Sequence, residues 1–354
     1  MSENSKIEWT DSTWNFLVGC DKVSAGCKNC YAIQTSWIRQ HNPKMQEKFA
    51  GVVEKTAGGL LNWTGRVNIS AAALMIPLAK EKPTKYFVNS LSDLFHENVP
   101  FAVIDRAFAV MAIAMQHTFQ ILTKRPKRML EYFSRPDLVD CIATAIKDLA
   151  QQPPTDYEMA AVASQGLFED GLPLFNVHIG VSCEDQKALD ERLPCLLQIP
   201  AAVRFLSCEP LLGPVLLPCQ PVHHDGRGPG YVGNNLAIDW VIVGGESGPA
   251  SRPMHPDWAR SLRDQCRIAG VAFFMKQWGE WVEDRQHDNF IPGRNIRSVK
   301  NILLDGSEYL TGSINPAHLA CMLKVGKKAA GRLLDGRTWD EFPLLSTTGR
   351  PDNI

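Results

Sequence analysis

The chain has 354 residues, enough to bury a full core either as one large α/β barrel or as two modest domains. Hydrophobic residues make up 45% and charged residues 21%, an ordinary globular composition. With 37 basic against 38 acidic side chains, the formal charge of −1 excludes a protein that coats nucleic acid by bulk charge; a local basic patch stays compatible with it.

Short apolar segments rich in β-branched and aromatic residues recur along the chain, separated by stretches long enough for helices. They predict strands at 14–18, 86–89, 119–123, 178–182, 204–208, 240–244 and 272–277, with a short one near 67–70. FAVIDRAFAVMAIAMQ (101–116) and PDWARSLRDQCRIAG (256–270) read as helices, the second closing on Gly270 as its C-cap. Alternating strands and helices imply a parallel sheet, and this many units predicts a (β/α) barrel or partial barrel over 1–280. Residues 136–173 read as an inserted helical segment, and HHDGRGPGYVGNN (223–235) as a glycine-rich, mobile loop. From 281 to 354 the pattern changes to a C-terminal extension. RNIRSVKNILLDGSEYLTGS reads there as a small β excursion, and the segment 324–337 as a basic helix or turn.

Polar or glycine-rich residues follow nearly every predicted strand: Cys20, Asn89 to Asp93, Thr123-Lys124-Arg125, Ser182-Cys183-Glu184, Ser207-Cys208-Glu209, Gly244 to Ser247 and Lys276-Gln277-Trp278. In parallel α/β folds the carboxyl ends of the strands share one face, where ligands bind. Each ending alone is also an ordinary loop start; together they predict a site on that face.

No apolar run approaches the length that spans a bilayer, and MSENSKIEWT is polar rather than a signal sequence. The expectation is a cytoplasmic protein without membrane contact, whose ten cysteines stay reduced. Seven are scattered singly, whereas Cys20, Cys27 and Cys30 fall within eleven residues, in the sequence GCDKVSAGCKNCY (19–31). A C-x-x-C pair can grip one metal centre, and Gly26 is expected to let the backbone turn tightly before it. Three local thiolates leave a fourth coordination position open. A structural zinc site normally closes all four with protein ligands, whereas a 4Fe–4S cluster on three cysteines keeps one iron open. Zinc completed by His41 or a distant cysteine, and merely buried thiols, are the competing readings.

The three-cysteine loop after the first strand resembles the cluster loop of the radical S-adenosylmethionine (radical SAM) superfamily. The superfamily's usual motif has three residues between the first two cysteines, against six here. Where it places an aromatic residue before the last cysteine, this chain has Asn29, and Tyr31 stands on the other side as the residue expected to pack beside SAM. VNSLSDLFHE (88–97) and FQILTKRPKRM (119–129) resemble the second and third strand endings of the spore photoproduct lyase branch. That resemblance implies that Ser90 and Asp93 line the SAM site and that Lys124, a compact point charge, meets the SAM carboxylate. IEWTDSTWN (7–15), RFLSCEPLLGP (204–214), WVIVGGESG (240–248), FFMKQWGEW (273–281) and VGKKAAGRLLDGR (325–337) resemble an uncharacterised, phage-associated radical-SAM-like family over nearly the full length.

What the resemblance implies is one-electron cleavage of SAM on a reduced cluster, hydrogen abstraction from a substrate, and an electron donor such as a flavodoxin or ferredoxin. Glu246, in the glycine turn GGESG, is expected on the active-site floor among the cofactor-binding residues. Glu209 is expected to accept a hydrogen bond from ribose or substrate, against a structural role in the Pro210 turn. Cys183 and Cys208, at strand ends, are candidate hydrogen-atom donors, as a cysteine is in the photoproduct lyases; an inert buried thiol is the ordinary alternative. Lys276, Gln277 and Trp278 could stack on and bond a nucleobase. Lys324, Lys327, Lys328, Arg332 and Arg337 could meet phosphates, which together suggest a DNA or RNA substrate for repair or modification. A zinc-containing nucleic-acid-binding protein without catalysis is the alternative, and a cluster protein that does not use SAM is a third.

Overall fold

In the computed structural model, which describes residues 5, 7–218, 222–223, 229–230, 237–284, 296–309 and 319–344, seven segments form one all-parallel sheet. Its strands are β1 (Ser12–Trp14), β2 (Lys85–Val88), β3 (Thr118–Thr123), β4 (Val177–Ser182), β5 (Val203–Cys208), β6 (Trp240–Gly244) and β7 (Ala272–Gln277). Spatial order follows chain order from β1 to β7, and β1 and β7 do not pair with each other. Parallel neighbours need crossovers of one hand, which puts the helices on one face and lets the sheet curl away from them. The result is a partial (β/α) barrel, a curled half-barrel sheet.

Side-chain alternation divides the sheet cleanly. Tyr86, Phe119, Ile121, Ile179, Leu206, Val241 and Phe273 belong to the large core under the helices. Trp9, Phe205, Trp240, Ile242 and Phe274 form a separate inner cluster, with Phe87 and Leu122 packed on it. Trp9 anchors that cluster, its ring centroid 4.7 Å from Phe87 and 6.1 Å from Trp240. The inner position of Gly180 on β4 has no side chain for a packing reason: a Cβ there would lie 2.6 Å from the Phe205 ring.

The helices are α1 (Tyr31–Gln40), α2 (Phe101–Ile113), α3 (Pro126–Phe133), α4 (Leu138–Ala150), α5 (Tyr157–Asp170), α6 (Gln186–Leu196) and α7 (Pro256–Ala269). The insertion expected at 136–173 is α4 and α5, which pack on α2. They explain why α2 is apolar almost all round, with nine of its residues buried: a helix hydrophobic on every side needs cover on every side. Gly270 ends α7 in the left-handed conformation, φ 67°, as expected. Among the described residues no helix is long and apolar enough to cross a membrane.

Three expectations need adjustment. The apolar run at 14–18 is broken: β1 stops at Trp14, and Leu17–Val18 pairs antiparallel with Asn68–Ile69 in a separate two-stranded ladder. Most of the glycine-rich loop 223–235 lies outside the described residues, as do 294–295 and 310–313 of the β excursion. The excursion contributes one strand of a three-stranded antiparallel sheet, in the order β8 (Trp281–Glu283), β10 (Leu319–Lys324), β9 (Ser298–Leu303). The basic segment holds only a single helical turn, Lys327–Ala330.

Past that turn the chain returns to the barrel. Met275 N donates to Trp339 O at 2.9 Å and Glu341 N to Phe273 O at 3.2 Å, so residues 339–341 run along β7. Phe342 then packs against Trp240 and Phe274, with Lys85 Nζ from β2 4.4 Å above its ring. This segment covers the open side of the sheet.

Candidate functional site

The cysteine loop lies over the carboxyl ends of the strands because it is tied there from several sides. Gly19 N donates to Leu91 O, and Gly19 bridges Ser92, behind β2. A Cβ on Gly19 would sit 2.0 Å from Arg66 O, and its φ of +106° is one that glycine tolerates, so the residue is required at that approach. Gly26 N donates to Glu184 Oε1 at 3.4 Å, behind β4. Asn29 Nδ2 donates to Glu246 Oε2 at 3.0 Å and to Ala250 O at 2.9 Å, behind β6, and Arg252 Nη2 donates to Ala25 O at 3.0 Å.

The acidic groups at the strand ends serve mostly to hold this arrangement. Asp93 accepts from Phe95 N and Thr123 Oγ1 on one oxygen, and from Lys124 N and Arg125 Nη1 on the other. Four donors fill a carboxylate's capacity. Asp93 therefore sits at the mouth, as expected, with its lone pairs already engaged by the β3 ending. Glu246 is engaged likewise by Asn29 and by Arg252, whose Nη2 reaches Oε1 at 2.6 Å. Burial alone raises the Glu246 pKa, but the Arg252 and Asn29 hydrogen bonds outweigh it and hold it below the usual value.

Lys124 Nζ lies 3.1 Å from Glu184 Oε2, and Arg192 Nη1 reaches the same oxygen at 2.8 Å. Glu184 is only 1% exposed. Its burial raises the pKa, but Lys124 and Arg192 together overcome that and hold it down to about 2. Gly26 has φ in the ordinary range; its function is spatial, since a Cβ would lie 3.2 Å from both the Lys124 ammonium and the Glu184 carboxyl. The tight turn expected from sequence is there, a 3-10 turn over Ala25–Cys27, and the close approach is a second reason for glycine.

The thiols themselves share this face. Cys20 Sγ accepts from Arg125 Nη1 at 3.6 Å; burial first, then Asp93, pushes its pKa up to about 12. Cys30, the N-cap of α1, is raised chiefly by burial and lies within electrostatic range of Cys27 and Lys124. Cys27 Sγ is 3.8 Å from Ser24 Oγ. Among the described residues no group of three His, Cys, Asp or Glu side chains is gathered so as to hold a metal ion. The three thiols thus share loop and mouth without forming a ready-made cage. His41 stands at the far end of α1, about 15 Å along the helix from Cys30, its Nδ1 paired with Trp37 O at 2.8 Å.

As a donor set, three soft thiols beside the Arg125 guanidinium and the Lys124 ammonium suit an anionic, sulfur-ligated group. Arg125 at Cys20 and Lys124 at Cys30 favour the ionised thiol, but burial outweighs them and holds both pKa values up.

Tyr31 is 55% exposed, and its hydroxyl donates to Ser90 O at 2.9 Å; Ser90 Oγ in turn donates to Asn15 Oδ1. Tyr31, Ser90, Asp93, Lys124 and Glu246 therefore all border the loop. Glu209, behind β5, pairs with Lys276 Nζ at 3.1 Å, and the bare Gly244 backbone makes room for it. It lies within electrostatic range of Tyr31.

Cys183 and Cys208 are placed elsewhere, fully buried in the core between sheet and helices. Burial is the first cause that raises both pKa values, that of Cys183 to about 12. Trp278 is also buried, its Nε1 donating to Leu333 O at 2.7 Å, so it offers no face to a base. Of the basic segment, Lys324 reaches Pro249 O, Lys327 lies 3.6 Å from Glu8, Arg332 pairs with Asp340, and Arg337 lies over Trp339. Sequence reasoning placed Arg125 and Glu184 at strand ends without giving either a role, and passed over Arg192 and Arg252. The signal for the first was the KRP run, where two cations follow a strand directly.

A family model described as Protein of unknown function (DUF5131) matches residues 4–343, and the chain belongs to that family. Among curated proteins and among solved structures, none matches the chain.

Proposed function

We propose that this chain is a radical SAM enzyme, a partial barrel of the radical SAM type that holds a 4Fe–4S cluster at Cys20, Cys27 and Cys30. The observation that carries the reading is the three-cysteine loop tied across the carboxyl ends of an all-parallel sheet, through the endings of β2, β4 and β6. When bound, the cluster and SAM would supply one-electron radical chemistry on a substrate C–H bond, with the electron coming from an external donor of the flavodoxin or ferredoxin kind. The chain's own residues bind and orient. Lys124, released from Glu184, offers a cation to the SAM carboxylate, Tyr31 offers a ring beside it, and the inner aromatic cluster around Trp9 closes the barrel floor to water. Glu209 and Lys276 present an acceptor and a donor to a substrate on the far side of the mouth.

Anaerobic reconstitution with iron, sulfide and a reductant tests this, followed by assay of 5′-deoxyadenosine with and without DNA or RNA. The expected result is a brown protein that releases 5′-deoxyadenosine. Replacing any one of the three cysteines with Ala should remove most of the bound iron. Stoichiometric zinc with no SAM binding would overturn the reading, and iron uptake without SAM cleavage would leave a redox protein. The burial of Trp278 withdraws one of the sequence arguments for a nucleic-acid substrate, whereas Lys327, Lys328 and Arg337 stay exposed and open to phosphates; the same assay decides the substrate.

A further inference from the structure

Arg125 caps the start of α3 with its side chain only 4% exposed, an expensive position for a charge. Its Nε donates to Glu97 Oε2 at 2.8 Å and its Nη1 to Asp93 Oδ2 at 3.2 Å; Nη1 also faces Cys20 Sγ at 3.6 Å. Nη2 is buried and has no hydrogen-bond partner among the described residues. A buried donor without an acceptor is costly, because it has lost its water without a replacement. Asp93 cannot take it, since both its oxygens are filled. Beyond the Asp93 and Glu97 carboxylates, the acceptor this guanidinium faces is the Cys20 sulfur, 3.6 Å from Nη1.

We infer that Arg125 is the hydrogen-bond donor that sets the reduction potential of the iron–sulfur group held at Cys20, Cys27 and Cys30. Nη1 donates to the Cys20 sulfur, and the unspent Nη2 is the donor available to an inorganic sulfide. The inference rests on the cluster reading above. Hydrogen bonds and positive charge at the sulfurs stabilise the reduced, more negative state of a cluster and so raise its potential. Arg125 acts through Cys20 and is a positioning and tuning residue; it touches no substrate in this account.

The test is a potentiometric titration of the anaerobically reconstituted full chain, followed by visible absorbance and by the electron paramagnetic resonance of the reduced cluster. Arg125→Lys and Arg125→Gln should bind iron and sulfide in the parent's ratio yet shift the midpoint to more negative values, Gln further than Lys. Glu97→Gln, which removes the solvent-facing partner and leaves the sulfur contact, should not produce that negative shift. In the parent, transfer to D2O should move the iron–cysteine stretching bands in the resonance Raman spectrum, and Arg125→Lys should diminish that movement. If Arg125→Gln does not fold, Arg125→Lys carries the comparison, because it keeps a cation for Asp93. Unchanged potential and spectra in a fully loaded Arg125→Lys protein would sink the inference and leave the cluster reading standing. A parent that takes up no iron and sulfide overturns both.

Discussion

Glu184 shows how much a single side chain can hold. It meets Lys124, Arg192 and the Gly26 amide at once, joining β4, the β3 ending and the cysteine loop. Glu184→Gln leaves two buried cations with a neutral partner and should cost about 3–5 kcal/mol, read by urea unfolding. Its pH dependence has a definite sign. The folded pKa is held down to about 2 against an ordinary 4.5, so its stabilisation is complete above 4.5 and is lost as pH falls from there toward 2. The parent should therefore lose more stability than Glu184→Gln across that window; equal slopes would refute the coupling. Gly19→Ala should cost roughly 3 kcal/mol by the same measurement, because its Cβ meets the Arg66 carbonyl and its φ is positive. At this scale the sequence was legible for the place of the cysteine loop and of Tyr31, Ser90, Asp93, Lys124 and Glu246 beside it, but not for Cys183, Cys208 and Trp278, which are buried. It was silent on pairing. That Asp93 and Glu246 are already engaged depends in part on segments 31 residues apart (Asp93 and Lys124) and 217 apart (Glu246 and Asn29) meeting in space, and no local pattern encodes that.

At the scale of elements, strands were read to within two or three residues because parallel strands buried on both faces appear as continuous apolar runs. The run at 14–18 misled for the same reason: nothing in its composition marks the corner where Asn15 turns inward to accept from Leu91 N and Ser90 Oγ. Helix ends followed their signals where caps were present, as at Gly270. The 101–116 pattern overran because α2 stops at Ile113 without a glycine or proline, and Ala114 leaves helical geometry. The insertion packs on α2 and shares the main core. Asp156 caps α5 by accepting from Glu158 N and Met159 N. Asp156→Ala should cost about 1 kcal/mol and speed hydrogen exchange in the first turn of α5. Iron uptake at the cysteine loop should not change. A loss of iron in that variant would show that the insertion and the mouth are coupled after all.

For the whole molecule, the open side of the sheet decides solubility as much as stability. Edge strands offer unpaired backbone groups to other chains, and among the described residues 339–341 cover β7, with Phe342 sealing the apolar gap toward β2. Removing 339–344 should raise aggregation in light scattering at temperatures where the remaining fold still gives its full circular dichroism signal. A truncated chain that stays monodisperse would mean that another element guards the edge. The extension was foreseen as an appendage with a basic face. Its return to β7 was not, since a three-residue edge pairing more than 60 residues away in sequence leaves no periodicity to read.

That return also fixes a timetable. Because each strand's neighbour is the next one in sequence, the sheet can grow from β1 outward as the chain is made, every new strand docking on the last. Each addition leaves a fresh edge exposed, and the edge at β7 waits for the segment that comes after the whole β8–β10 sheet. Translation at about 5–20 residues per second leaves that edge bare for several seconds. The vulnerable species in the life of this protein is therefore an almost finished barrel, and chaperone demand should fall sharply once residue 342 has cleared the ribosome.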